Sequence, residues 1–110
     1  MALISLAEAK MYLRVDSADE DAVISSLLSA ACNLCVDVAR LSDDQWADVD
    51  SGETHASGYT DAELRYVRET LKVAILYALG YLYEHRENAD HHDLAITLRS
   101  LLFGIREGAS

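Results

Sequence analysis

The sequence predicts an all-α fold: a small bundle of about four helices with one long central helix and a long acidic loop. Three observations predict it. Proline is absent and glycine numbers only 5 among 110 residues, so little in the chain breaks helices or supplies hairpin turns. Ser5 with Glu8, Ser17 with Glu20 and Thr60 with Glu63 repeat the Ser/Thr-x-x-Glu pattern, in which hydroxyl and carboxylate satisfy the free amide donors of a helix start. The stretch 71–87, LKVAILYALGYLYEHRE, then carries a sustained apolar helical period. A hydrophobic content of 51% is ample for one core, and the length sets one domain, 1–110.

The Ser5 cap opens a short first helix that runs to about Val15. Ser17 opens the second, to about Arg40, with Ile24, Leu27, Leu28, Ala31, Cys35 and Val38 along one face. Asp19, Glu20 and Asp21 suit the positive end of its dipole. Residues 41–59 show neither a helical nor a strand period and contain two glycines, so they read as a loop, long enough to be functional or disordered. Trp46 is its one large apolar side chain, placed either to staple the loop to the core or to contact another subunit.

The Thr60 cap opens the longest helix, 61 to about 86, or about 39 Å at the standard rise. Its core face is Leu64, Val67, Leu71, Ala74, Ile75, Ala78, Leu79 and Leu82. From Val73 onward the opposite face is apolar or aromatic too, with Tyr77, Tyr81 and Tyr83, and a helix apolar nearly all round is buried on more than one side. In so small a chain the second side points to another subunit, with Tyr77, Tyr81, Tyr83 and Arg86 as the oligomer interface. After a polar break at 87–92, a last helix over 93–103 turns Leu94, Leu98, Leu101 and Leu102 inward.

Charge limits the function. Nineteen acids against nine bases give −10, which argues against nucleic-acid affinity resting on phosphate neutralisation. Residues 41–63 hold seven acids and no base, whereas 64–110 hold six of each. The acidic segment is either a solvated loop or a surface that repels DNA or meets a basic partner. The longest apolar run, 73–83, spans 11 residues, short of the roughly 20 a membrane helix needs. The N-terminal MALISL lacks a basic leader and a small-residue cleavage site, so the expectation is cytoplasmic synthesis without a membrane stage.

No constellation carries chemistry. Cys32 and Cys35 form a Cys-x-x-Cys, but mid-helix and without a second pair they read as core and flanking residues. His85, His91 and His92 lie among carboxylates, yet on different segments and without His-Glu-x-x-His spacing, which also describes a polar helix-to-helix turn. There is no Gly-rich phosphate loop, no Gly-x-Ser-x-Gly and no nucleophile-base pair. The reading has no catalytic residue, no metal, no cofactor and no enzyme.

In order and spacing, the opening SLAEAKMYLRV from Ser5, DEDAVI from Asp19, LKVAIL from Leu71 leading into YEHRE at Tyr83, and LLFGIR ending at Arg106 together resemble the tailed-phage head-tail connector (portal adaptor, head-completion) family. The resemblance spans nearly the whole chain apart from 41–59. It implies a structural virion protein at the head-tail junction, made in the bacterial host cytoplasm. It further implies a homo-oligomeric ring of about twelve copies that docks on the portal protein, extends the DNA channel without binding DNA specifically, and offers a platform to the next head-completion or tail protein. The acidic excess suits a channel through which DNA slides. Leu101, Leu102, Phe103, Ile105 and Arg106 give the C-terminal segment more apolar surface than one helix face buries, and the resemblance places portal docking there; otherwise Leu101, Leu102 and Ile105 close the core. Trp46 is the other candidate partner contact. The alternative function is a small helical regulatory or adaptor module of a phage or prophage.

Overall fold

Residues 3–85 and 92–105 are described by the computed structural model. They form five helices, α1 Leu6–Leu13, α2 Asp21–Ala39, α3 Asp43–Ser51, α4 Asp61–Glu84 and α5 His92–Leu102, followed by a 3-10 turn, Phe103–Ile105; no strand occurs among the described residues. The all-α expectation holds. α4, about 36 Å long at 24 residues, is the axis of the fold: α2 makes the most extensive contact with it, and α1, α3 and α5 pack around the pair. The short dimension is 18 Å, about two helix diameters. A slab two helices thick cannot enclose α4 on all sides.

Two of the three predicted caps form. Ser5 and Thr60 each accept the amide N–H of Glu8 and Glu63, whose carboxylates accept the capping residue's own N–H. The Ser17 box does not. α2 begins at Asp21 with Glu20 as an N-cap that makes no side-chain capping bond, because the Glu20 carboxylate instead accepts a 2.6 Å hydrogen bond from the Tyr83 hydroxyl. A tertiary contact to the end of α4 takes the group that the local motif would have used. α1 and α2 both terminate on an arginine in the left-handed conformation, Arg14 at φ 61° and Arg40 at φ 57°. The following amides close onto Lys10 and Val36 carbonyls, a turn usually occupied by glycine.

The segment 41–59 is not one long loop. Ser42 accepts the N–H of Gln45 while the Gln45 side chain accepts that of Ser42, and the resulting helix α3 ends on Gly52 at φ 85°. Glutamine serves in a capping box as glutamate does. With only Trp46 and Val49 apolar at helical spacing, the period is too short to stand out. Val49 is buried, and Trp46 packs half-buried against the core.

The buried set of α4 is the one the spacing predicts, Leu64 through Leu82. On α2 the buried residues are Ile24, Ala31, Cys35 and Ala39, while Leu27, Leu28 and Val38 lie half-buried at its margin. Among the described residues α2 alone is long and apolar enough to cross a membrane by length and composition; here one side lies in the core and the other exposes Ser25, Ser26, Ser29, Asn33 and Asp37. α5 buries Leu94, Leu98 and Leu102. Leu101, expected inward, is 38% exposed: it lies one residue from Leu102, about 100° round the helix, and one core-facing stripe cannot take both.

Candidate assembly surfaces

Three exposed apolar side chains lie on the outer face of α4, directly opposite its core stripe: Tyr66, Val73 and Tyr77, at 56%, 61% and 42% exposure. Their spacing of seven and four residues places them in one row. Two glycines extend the row beyond the helix. A Cβ on Gly80 would come 3.3 Å from the Tyr12 ring, and one on Gly104 would come 2.9 Å from the Tyr66 hydroxyl. Tyr12 of α1 therefore lies across one end of the row, and the 3-10 turn meets the other end through Gly104. The result is an apolar belt joining α1, α4 and the C-terminal turn. Clustered exposed apolar groups of this kind mark interaction surfaces.

The predicted tyrosines divide between roles. Tyr77 is in the belt. Tyr81 is half-buried and stacks on His85 with ring centroids 4.3 Å apart, and Tyr83 is half-buried with its hydroxyl on Glu20. Arg86 lies outside the described residues. Sequence reasoning began the apolar outer face at Val73 and missed Tyr66 and Tyr12 as surface groups, although the seven-plus-four spacing of Tyr66, Val73 and Tyr77 was the available signal.

The C-terminal group divides as well. Leu102 and Ile105 are buried, whereas Leu101 and Phe103 are exposed, Phe103 by 60%; Arg106 lies outside the described residues. Trp46 lines a recess of about 280 Å³ with Leu3, Leu28, Cys32 and Asp50 among its walls.

The C-terminal end of α3 is a second organised region. Asp48, 2% exposed, accepts the amide N–H groups of His55 at 2.8 Å and Ser57 at 3.0 Å, folding the chain after α3 back on itself. Asp50 accepts the N–H of Leu3 at 3.0 Å, and the Arg68 guanidinium donates to the Val49 carbonyl. A Cβ on Gly52 would come 2.9 Å from Arg68, so glycine is needed there both for space and for its positive φ. Beside this junction runs a groove of about 500 Å³, floored by Leu3 and Leu64 and edged by Arg65, Arg68 and Lys72, with Asp61 and Glu69. Lys72 is 2.8 Å from Glu8 of α1.

Hydrogen bonds from Ser57 and His55 hold the Asp48 carboxyl below its ordinary value. Lys72 does the same for Glu8, and the Thr60 cap for Glu63. A carboxylate whose folded-state pKa is depressed stabilises the fold fully above its unfolded value and loses that contribution as pH falls through the folded one. The melting temperature is therefore expected to fall on going from pH 7 to about pH 4. Asp48→Asn should flatten this dependence and remove amide-exchange protection at His55 and Ser57, which hydrogen-exchange measurements across that range would check.

The thiols carry no reactivity of the kind a redox site needs. Burial pushes Cys32 up to about 11 and Cys35 up to about 12, so the nucleophilic thiolate is scarce at neutral pH. Among the described residues no group of three or more His, Cys, Asp or Glu side chains is placed to hold a metal ion; His91 lies outside them.

A model of one protein family, described as phage gp6-like head-tail connector protein, matches residues 3–107. No curated protein and no solved structure matches the chain.

Proposed function

We propose, from the premise that this chain belongs to the phage gp6-like head-tail connector family, that it is a non-enzymatic ring subunit: about twelve copies dock on the portal, extend the DNA channel towards the tail and receive the next head-completion or tail protein. Membership itself carries the coarser statement, a structural connector of the bacteriophage virion. The observation that supports self-association is the apolar belt of Tyr12, Tyr66, Val73 and Tyr77, which a slab two helices thick leaves uncovered. Rings arise when one face of a subunit meets a different face of the next and the rotation closes. The net charge of −10 supports passage of DNA without adhesion.

In this reading the portal contact is made by Leu101, Phe103 and Arg106, while Leu102 and Ile105 hold the segment to the core. Leu101→Asp with Phe103→Asp tests it, because both side chains are exposed and their replacement spares the core. The double variant should keep its helical circular dichroism and melting transition, lose capture by the portal protein on the order of a hundred-fold, and yield heads that do not join tails. Undiminished portal capture by the folded variant would move the contact elsewhere, to the Trp46 region first.

A further inference from the structure

We propose that the groove along Arg65, Arg68 and Lys72 receives the first turn of α3 from a second copy of this chain, with Asp43 and Asp44 of that copy facing Arg65. The inference rests on the ring reading and deepens it by naming which surface of the neighbour meets α4. Two charge imbalances suggest the pairing. α3 holds four acids, Asp43, Asp44, Asp48 and Asp50, and no base, whereas the groove on α4 is lined by three bases, Arg65, Arg68 and Lys72, against two acids, Asp61 and Glu69. Several of these groups, and other acids nearby, already have partners within the chain. Asp48 holds the amides of His55 and Ser57, Asp50 that of Leu3, Glu63 that of Thr60, and Glu53 lies 3.4 Å from His55. Arg68 is on the Val49 carbonyl and Lys72 on Glu8. Of the carboxylates on α3, Asp43 and Asp44 are exposed and make no hydrogen bond or ion pair with another described residue, and Arg65 is likewise exposed and unengaged.

Position supports the same pairing. On α4, Arg65 and Lys72 lie about 80° to 100° round the helix from Val73, so the groove borders the apolar belt and one neighbour can cover both. The belt would then supply most of the affinity, and the charges would set orientation and exclude wrong registers. Leu3 and Leu64 beneath the groove are buried, so the contact with the α3 turn is chiefly polar, and the exposed Ala47 just past that turn leaves room for a close approach.

Opposite charge reversals on the two surfaces make a direct test. Arg65→Glu places like charges across every contact, and so does Asp43→Lys with Asp44→Lys in a separate chain; each alone should weaken self-association on the order of a hundred-fold. An equimolar mixture of the two should assemble again, because each groove then meets the α3 turn of opposite sign in the other variant. Sedimentation velocity of the unsubstituted protein, each variant and the mixture, with circular dichroism melts to confirm folding, reads all four. Full assembly by Arg65→Glu alone, or a mixture no larger than its separate components, overturns the proposal while unsubstituted rings in the same series leave the ring reading standing. Failure of the unsubstituted protein to associate under any condition overturns both.

Discussion

Val73→Asp combined with Tyr77→Asp is expected to abolish self-association while leaving the fold intact. Both side chains lie off the core stripe, at 61% and 42% exposure, so replacing them costs the monomer less than a core substitution does. Neither lies in the first or last turn of α4, where an added acid would act on the helix dipole. Across an interface the effect is different. Tyrosines at the centre of a contact commonly contribute 2 kcal/mol or more each, and a carboxylate buried there without a partner costs further. Together they correspond to a weakening on the order of a thousand-fold. A light-scattering concentration series should show the double variant at monomer mass, with an unchanged circular dichroism spectrum and a cooperative melting transition. Association equal to that of the unsubstituted protein would remove the belt from the interface.

The largest effect on folding is expected from Leu71→Ala. Leu71 is fully buried on α4, the helix against which α2 makes the most extensive contact in the fold. Removing its branched end leaves a cavity that rigid neighbours close only in part, a loss of about 2 to 5 kcal/mol. A domain of this size has roughly 5 to 15 kcal/mol to lose, so the melting temperature should drop by on the order of 10 °C or more. Leu101→Ala is the control. Only 38% exposed but off the core stripe of α5, it should shift stability by about 1 kcal/mol, well short of the Leu71 loss. Equal losses at the two positions would contradict the separation of core and surface leucines described above.

The long periodic elements were legible in the sequence because many residues vote together. Eight apolar positions at helical spacing defined α4 and its buried face, and reciprocal capping bonds fixed the starts of α1 and α4. Short or competing signals were not. α3 has nine residues and only Trp46 and Val49 to show a period, and its Ser42-Gln45 box differs from the glutamate pattern by one residue type. Ser17 lost its cap because Glu20 has a stronger use, the Tyr83 hydroxyl 63 residues away, and no local rule reports such a contact. Leu101 was misplaced because a run of two leucines leaves the inward one undecided until the helix is phased by its neighbours.

The apolar belt was half legible. Composition alone indicated that the back of α4 had more apolar surface than one small core could use. Tyr77, Tyr81 and Tyr83 look alike in sequence, but Tyr81 is half-covered by its stack on His85 and Tyr83 is turned to Glu20 at the start of α2, which leaves Tyr77 as the exposed one. Tyr66 and Val73 entered the belt through helical phase. Tyr12 joined it through Gly80, and the 3-10 turn reaches Tyr66 through Gly104, because the missing side chains admit a neighbouring element.

The central claim is that uncovered apolar surface on a connector subunit is covered by further copies of the same chain. The most direct test is the mass of the unsubstituted protein by sedimentation velocity, from micromolar to about millimolar concentration, alone and with portal protein. The account predicts growth from the 12.1 kDa monomer towards a closed species of about 145 kDa, absent from the Val73→Asp, Tyr77→Asp variant. A strict 12.1 kDa monomer at every concentration, with one copy or none bound per portal assembly, would contradict it.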